Sequence, residues 1–146
     1  MKIVQMLLIS AAAIALLVVG FWLYTEQIAN PRVVRELVEK PDGERAQRVM
    51  LLTLPSGRRI PVNYLREDDR VYAGADGTWW QELVGDGVPV TLLVRGETLA
   101  GTARAVRDDP TYTKRVFARL RPNAVEGFGT LIEIHLEAGE PAAPRS

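Results

Sequence analysis

The chain has 146 residues, with 18 basic and 18 acidic side chains, one histidine and no cysteine. This length accommodates one compact domain and an appendage. The zero net charge argues against nucleic acid as a partner, because neutralising a row of phosphates needs an excess of Lys and Arg. The lack of cysteine excludes disulfides, thiolate metal sites and a cysteine nucleophile, and a single histidine, His135, excludes a multi-histidine metal site.

The beginning of the chain predicts a membrane span. The residues from Ile3 to Tyr24 carry no charge, and as a helix they would reach roughly 33 Å, enough for a hydrocarbon core of about 30 Å. Trp22 and Tyr24 lie at the far end, where aromatic rings favour the headgroup region. The alternative is a cleavable signal peptide, but its apolar region is usually only about 7 to 15 residues long. We therefore expect residues 1–25 to anchor the chain in membrane lipid.

The charges beside this segment favour one orientation. Lys2 precedes the apolar run, whereas Arg32, Arg35 and Lys40 follow it. Basic residues near a span collect on the cytoplasmic side. We therefore expect a single-pass membrane protein whose C-terminal domain is cytoplasmic.

Residues 26–45 predict a juxtamembrane helix and linker. Asn30-Pro31 offers an N-cap followed by proline at the first helical position. The apolar residues between Val34 and Val38 then share one helical face. This pattern is typical of a short helix that packs its apolar stripe on a following domain.

Residues 46–138 predict a small, mainly β domain. Apolar or alternating runs are separated by turn residues, and the predicted strands are Arg48–Leu54, Ile60–Tyr64, Arg70–Ala75, Pro89–Val94, Leu99–Arg107 and Thr130–Glu137. One short helix is predicted over Thr78–Val84, where Thr78 and Gln81 have capping-box spacing, and a second begins at Asp109-Pro110. The order β-β-β-α-β-β-α-β favours a closed or nearly closed barrel, because closure removes exposed sheet edges.

The patterns also predict which side chains are buried. Arg48–Leu54 is apolar on both faces, as in a strand that is covered on both sides. The second helix is expected to direct Val116, Phe117 and Leu120 to the core. In the last strand Ile132, Ile134 and Leu136 are expected to point inward, and Glu133, His135 and Glu137 outward. The tail 139–146 is rich in proline and alanine and is expected to be disordered.

Two features of the barrel region are candidates for ligand binding. A Ser56-Gly57 turn would present unpaired backbone N–H groups, and Arg58 and Arg59 beside it would supply positive charge for a phosphate. The alternative is an ordinary hairpin turn with two solvated arginines. Trp79-Trp80 would form a flat apolar wall for an aromatic ligand, or would instead plug the end of the barrel.

The patterns give little support to hydrolytic chemistry. Ser56 and His135 are the available partners for a catalytic triad, but Pro55-Ser56-Gly57 is not a nucleophile elbow. The acidic pairs Asp68-Asp69 and Asp108-Asp109 are typical of turn and cap residues. No catalytic residue and no metal ligand is assigned from the sequence.

In combination these segments resemble a known family. The order is Leu51-Leu52-Thr53, then Ser56 to Leu65, then Trp80 with Leu83, then Val88-Pro89-Val90. It is similar to the deazaflavin-dependent nitroreductase and quinone reductase family, a branch of the flavin-binding split β-barrels. The resemblance covers Arg48 to Leu136 and implies a single split β-barrel of about six strands and two short helices behind the transmembrane helix. The basic turn is shorter than is usual in that family, and no lysine or histidine precedes Trp79.

The resemblance implies a binding site for the deazaflavin coenzyme F-420 or for FMN. It assigns the cofactor phosphate to Ser56, Gly57, Arg58 and Arg59. It places Pro61 and Asn63 along the ring system, and it closes the site with Ala75, Asp76, Thr78, Trp79 and Trp80. The family also implies a homodimer.

The sequence is therefore compatible with two functions. The first is a membrane-anchored, deazaflavin- or flavin-dependent oxidoreductase that transfers a hydride to a small apolar acceptor such as a quinone. Such a cofactor carries the hydride itself, which suits a chain with no evident acid or base, and Tyr64 and Tyr72 are the candidate proton donors. The alternative is a cofactor-free, membrane-tethered split-barrel module for binding or scaffolding.

Overall fold

The computed structural model describes residues 1–24, 30–125 and 127–138. The chain divides into two compact units, residues 1–35 and 36–146. Residues 26–29 of the predicted linker and the predicted disordered tail 139–146 lie outside the described residues.

The first unit contains helix α1 (Lys2–Tyr24). Within it, Lys2–Leu23 is the one helix of the described residues that is long and apolar enough to cross a membrane, and none of its most apolar stretch is buried in the protein. The element predicted from the apolar run is therefore present. The cytoplasmic placement of the C-terminal unit stays a prediction.

Helix α2 (Asn30–Glu39) crosses the boundary between the units and begins at Asn30, the residue that the sequence places at the N-cap. Its Leu37 is buried within the second unit, as expected for the apolar stripe. A 3₁₀ turn over Arg45–Gln47 follows and packs against the first strand.

The second unit is a closed antiparallel β-barrel of six strands. They are β1 (Val49–Thr53), β2 (Arg59–Glu67), β3 (Arg70–Ala75), β4 (Val88–Val94), β5 (Glu97–Val106) and β6 (Thr130–Leu136). Their order around the barrel is β1-β2-β3-β6-β5-β4, and β4 closes on β1 through Leu51–Thr53. The predicted fold class is therefore confirmed.

Aliphatic side chains fill the barrel. The inward-facing residues include Met50, Leu52, Val71, Ala73, Leu92, Ile132 and Ile134, all fully buried. β1 is buried on both faces as predicted, since the outward Leu51 is only 1% exposed. These side chains form the packed apolar core of the barrel.

A 3₁₀ helix closes one end of the barrel. This plug helix (Trp79–Leu83) lies at what we call the plugged end, where β1, β3 and β5 finish and β2, β4 and β6 begin. Leu83 is fully buried in the core, and Trp79 and Trp80 pack half-buried against it. The two tryptophans therefore help to close this end of the barrel and remain partly exposed. The capping box is wrong, because Thr78 makes no side-chain cap bond in this tight 3₁₀ turn.

Helix α3 (Pro110–Leu120) covers the outer face of the barrel. As predicted, Asp109 caps it by accepting a hydrogen bond from the Tyr112 N–H at 2.9 Å, with Pro110 at the start. Val116 is fully buried and Phe117 packs beside it. Glu133 points out of the barrel as predicted, yet it is only 5% exposed. Strand alternation gives the side of the sheet, but the helix that lies over that side decides the burial.

Candidate functional site

Most of the predicted site residues gather at the plugged end. Ser56, Gly57 and Arg58 form the β1–β2 turn, and Arg59 opens β2. Ala75 ends β3, and Asp76, Thr78, Trp79 and Trp80 lead into the plug helix. The two groups meet where the Ser56 N–H donates to Oε1 of Glu82 at 3.2 Å.

The β1–β2 turn keeps its backbone groups occupied. The Gly57 N–H donates to the Leu54 carbonyl at 2.8 Å, with Gly57 at a φ of 84°. The Arg58 N–H lies 3.5 Å from the Ser56 Oγ. The prediction of unpaired N–H groups in this turn is therefore wrong. The Gly57 N–H bonds to a carbonyl within the hairpin, and the Ser56 N–H bonds to the Glu82 carboxylate.

The arginine side chains of the turn are its available charges. Arg58 and Arg59 are both exposed, and within the part of the chain that the structure describes neither forms an ion pair. Strand alternation directs Arg59 to the outer face of the barrel, in register with Thr53 on β1. Two guanidinium groups on adjacent residues are suited to a phosphate or carboxylate.

Asp76 and Ala75 both have structural roles: Asp76 pairs with Arg121, and Ala75 is buried. Arg121 donates from Nη1 to Oδ1 of Asp76 at 2.5 Å and from Nη2 to the Gly74 carbonyl at 2.7 Å. The approach depends on glycine, because a Cβ at Gly74 would lie 2.5 Å from Nη2 of Arg121. Ala75 is buried inside the barrel at 1% exposure, so it faces no ligand at the surface.

Pro61 and Asn63 lie on the outer face of β2, and Asn63 is the farther of the two from the turn. Asn63 is four residues beyond Arg59, a separation of about 13 Å along a strand. It lines a polar cavity of about 590 Å³ with Arg48 and Tyr64. Pro61 pairs with Leu51 nearer the turn. Within this chain the structure therefore does not bring Asn63 together with the other predicted site residues.

The tryptophan pair has a cation beside it. The Arg107 guanidinium lies 4.6 Å from the centroid of the Trp80 ring. This contact is a cation–π interaction. It places a positive charge at the outer edge of the plug helix, on the side where β5 ends.

Other candidates are separated by the topology. Ser56 lies at the plugged end, whereas His135 pairs with Arg70 at the opposite end, so these two cannot form a triad. The Tyr64 hydroxyl donates to the Ala46 carbonyl at 3.2 Å. Tyr72 is 3% exposed. Neither candidate proton donor faces the turn.

A polar cluster that the sequence patterns did not predict lies beneath α3, around Glu133. The Tyr112 hydroxyl donates to Oε2 of Glu133 at 2.5 Å, and its oxygen lies 3.0 Å from the Tyr72 hydroxyl. Nε2 of His135 lies 2.9 Å from Oε1 of Glu133, and Nη2 of Arg104 lies 3.8 Å from the same oxygen. The available signal was the i, i+4 spacing of Tyr112 and Val116, which turns both toward the sheet.

Burial and hydrogen bonding set the protonation of this cluster. Burial by itself raises the pKa of Glu133, but the bonds from Tyr112 and His135, with the charges of His135 and Arg104, outweigh it and lower that pKa below its ordinary value. Burial and the bond to Glu133 raise the pKa of Tyr112. Glu133 is therefore an ionised carboxylate at neutral pH, and Tyr112 is a neutral donor to it.

Comparison with known proteins adds little to this description. No family model and no curated protein matches the chain. Among solved structures, General Stress Protein 26 from Bacillus anthracis str. Sterne matches with a TM-score of 0.44 and 19% identity, over 70% of this chain and 87% of that chain. Similarity at this level says nothing about activity. The strand pairing defines a six-stranded antiparallel barrel. In the sequence this barrel follows a helix that is long and apolar enough to cross a membrane.

Proposed function

We propose that the protein is a membrane-anchored oxidoreductase that binds the deazaflavin coenzyme F-420 or FMN at the plugged end and reduces a small apolar acceptor such as a quinone. The observation that carries the proposal is the pair Arg58 and Arg59, exposed at this end without an ion pair among the described residues. A phosphate is one of the anions that such a pair of guanidinium groups recognises.

The residues around this pair fit the cofactor in part. Arg58 and Arg59 would hold the phosphate, and the half-buried Trp79 and Trp80 would offer an apolar surface to a ring system. The cofactor, when bound, supplies the hydride chemistry. The chain then has to bind, orient and exclude water, and α1 would keep it beside a bilayer in which apolar acceptors dissolve. The homodimer that the family resemblance implies belongs to the same proposal.

One observation favours a second function. The Glu82 carboxylate accepts the Ser56 N–H and so places a negative charge directly at the turn. A carboxylate there repels a phosphate and occupies a donor that would otherwise bind it. The second candidate is therefore a cofactor-free, membrane-tethered binding or scaffold module.

The decisive measurement is cofactor binding by the full chain in lipid nanodiscs. The purified protein is mixed with FMN or with coenzyme F-420, passed through gel filtration and scanned for the absorption of the retained cofactor. Replacing both arginines (Arg58→Gln, Arg59→Gln) is expected to remove binding, whereas Arg95→Gln, an exposed arginine in the β4–β5 turn, is expected to leave it unchanged.

Glu82→Gln separates the two functions further. If a phosphate lies at the turn, removing this charge is expected to tighten cofactor binding about fivefold, the equivalent of about 1 kcal/mol for a partly exposed charge. Retention of neither cofactor by the parent chain and by Glu82→Gln would refute the oxidoreductase and leave the binding module. Retention that is insensitive to both arginines would refute the phosphate site.

A further inference from the structure

A second concave surface lies on the other side of Arg121, between α3 and the segment that leads to β6. This groove has a volume of about 720 Å³, within the range of about 300 to 1,000 Å³ that small-molecule sites occupy. It is built from the end of β5, one side of α3 and residues 121–125 and 127–130. It adjoins the cofactor site proposed above, because its Arg107 lies over the Trp80 ring and its Arg121 bonds to Asp76.

The groove has an apolar lining that is unusually open to solvent. Val106 and Phe117 form its inner part and belong to the cluster that α3 buries on the barrel. Val125 and Phe128 line its outer part and are 82% and 62% exposed. A ligand that covers these two apolar side chains gains free energy, because it removes their apolar surface from water.

The charged side chains among the described lining residues of the groove are all basic. Arg107, Lys114 and Arg121 line it, and none of its described lining residues carries a carboxylate. The two Nη groups of Arg121 bond to Asp76 and to Gly74. Arg107 is exposed, rests on the Trp80 ring and forms no ion pair among the described residues, so its guanidinium is the cation at the rim that is open to a ligand.

We propose that this groove binds a single-chain anionic amphiphile, with its hydrocarbon tail along Phe117, Val125 and Phe128 and its acidic head at Arg107. Charge complementarity at the rim and the apolar lining below it select this class of ligand over a neutral lipid or a small soluble anion. A chain whose first helix is long and apolar enough to cross a membrane would meet such molecules in the bilayer, where they partition.

The chain offers a clean probe, because it contains no cysteine. Ala124 lines the groove and has a small, exposed side chain, so Ala124→Cys places one thiol there without removing the proposed contacts. The full chain in phosphatidylcholine nanodiscs is treated with a water-soluble maleimide, and the rate of modification is measured against added oleate or oleyl alcohol. Val84→Cys, an exposed valine outside the groove, is the matched control.

Oleate is expected to slow modification at Ala124→Cys and not at Val84→Cys. Adding Phe128→Ser is expected to raise the half-protecting oleate concentration about tenfold, and adding Arg107→Gln is expected to abolish the preference for oleate over oleyl alcohol. The proposal would be overturned by any of four results. These are equal slowing at both cysteines, protection by the nanodisc without added amphiphile, equal protection of Ala124→Cys by oleate and oleyl alcohol, and no protection at all.

Discussion

Replacing Glu133 with glutamine tests how the cluster beneath α3 holds that helix to the barrel. Glu133→Gln keeps the size and shape of the side chain and removes only its charge. Tyr112 and His135 then bond to a neutral amide, and the weak ion pair with Arg104 is lost.

The expected loss follows from these contacts. A hydrogen bond to a charged group contributes about 1.5–3 kcal/mol and a neutral one about 0.5–1.5 kcal/mol, so the short bond from Tyr112 accounts for about 1 kcal/mol of the difference. The half-exposed pairs with Arg104 and His135 add less than about 1 kcal/mol. Removing a buried charge recovers part of this. We expect Glu133→Gln to lower the free energy of unfolding by about 1–2 kcal/mol at neutral pH.

The loss should depend on pH with a definite sign. The pKa of Glu133 is lower in the folded protein than its ordinary value, so its contribution is complete above the unfolded pKa and disappears as the pH falls through the folded one. The parent and Glu133→Gln should therefore differ most near pH 7 and converge as the pH falls below about 4.

The assay is denaturant unfolding of the full chain in detergent micelles, followed by the fluorescence of Trp79 and Trp80. Trp22→Phe in every variant removes the signal of the apolar helix. Glu137→Gln, an exposed glutamate at the end of the same strand, is the control for a simple loss of charge. A Glu133→Gln protein as stable as the parent at pH 7, or a stability difference that stays constant down to pH 3, would refute the reasoning.

Three further substitutions test the packing. Gly74→Ala should lower the free energy of unfolding in denaturant by about 1–3 kcal/mol, because its Cβ would lie 2.5 Å from a guanidinium nitrogen of Arg121 and 2.8 Å from a ring carbon of Phe117. The control Gly77→Ala makes only ordinary contacts and should be neutral. Equal effects of the two substitutions would contradict this. Asp109→Ala should cost about 1 kcal/mol through the lost helix cap, and Asp108→Ala much less; the same assay decides. Leu83→Ala should cost about 2–5 kcal/mol, since this side chain is fully buried, and a milder loss would show that the plug helix adds little to the core.

Local patterns were sufficient for the elements of the barrel. The alternation around Ile60 and Ile132 and the cap at Asp109-Pro110 each depend on neighbours in sequence, and each is present in the structure. Closure also followed from a local argument about unpaired edges. What the sequence did not predict was the burial of Glu133, because the outer face of β6 is covered by a helix whose position no strand pattern records.

The candidate site was predictable only where its parts are close in sequence. Arg58 and Arg59 are adjacent, so their juxtaposition needed no tertiary information. The contact between Glu82 and Ser56 joins residues 26 positions apart. Because of it, the Ser56 N–H, which was expected to be free for a ligand, is already bonded to a carboxylate. Such a contact depends on how the plug helix seats in the barrel, which the spacing of the tryptophans alone does not determine.

The closed order of the strands has a consequence for how the barrel meets other proteins. Each of the six strands is paired on both sides, and β4 returns to β1. Recognition by strand addition requires an open sheet edge, onto which a peptide docks through its main chain. The closure of this barrel therefore favours protein partners that recognise its side-chain surfaces and turns, and specificity of that kind is sensitive to point substitutions at those positions.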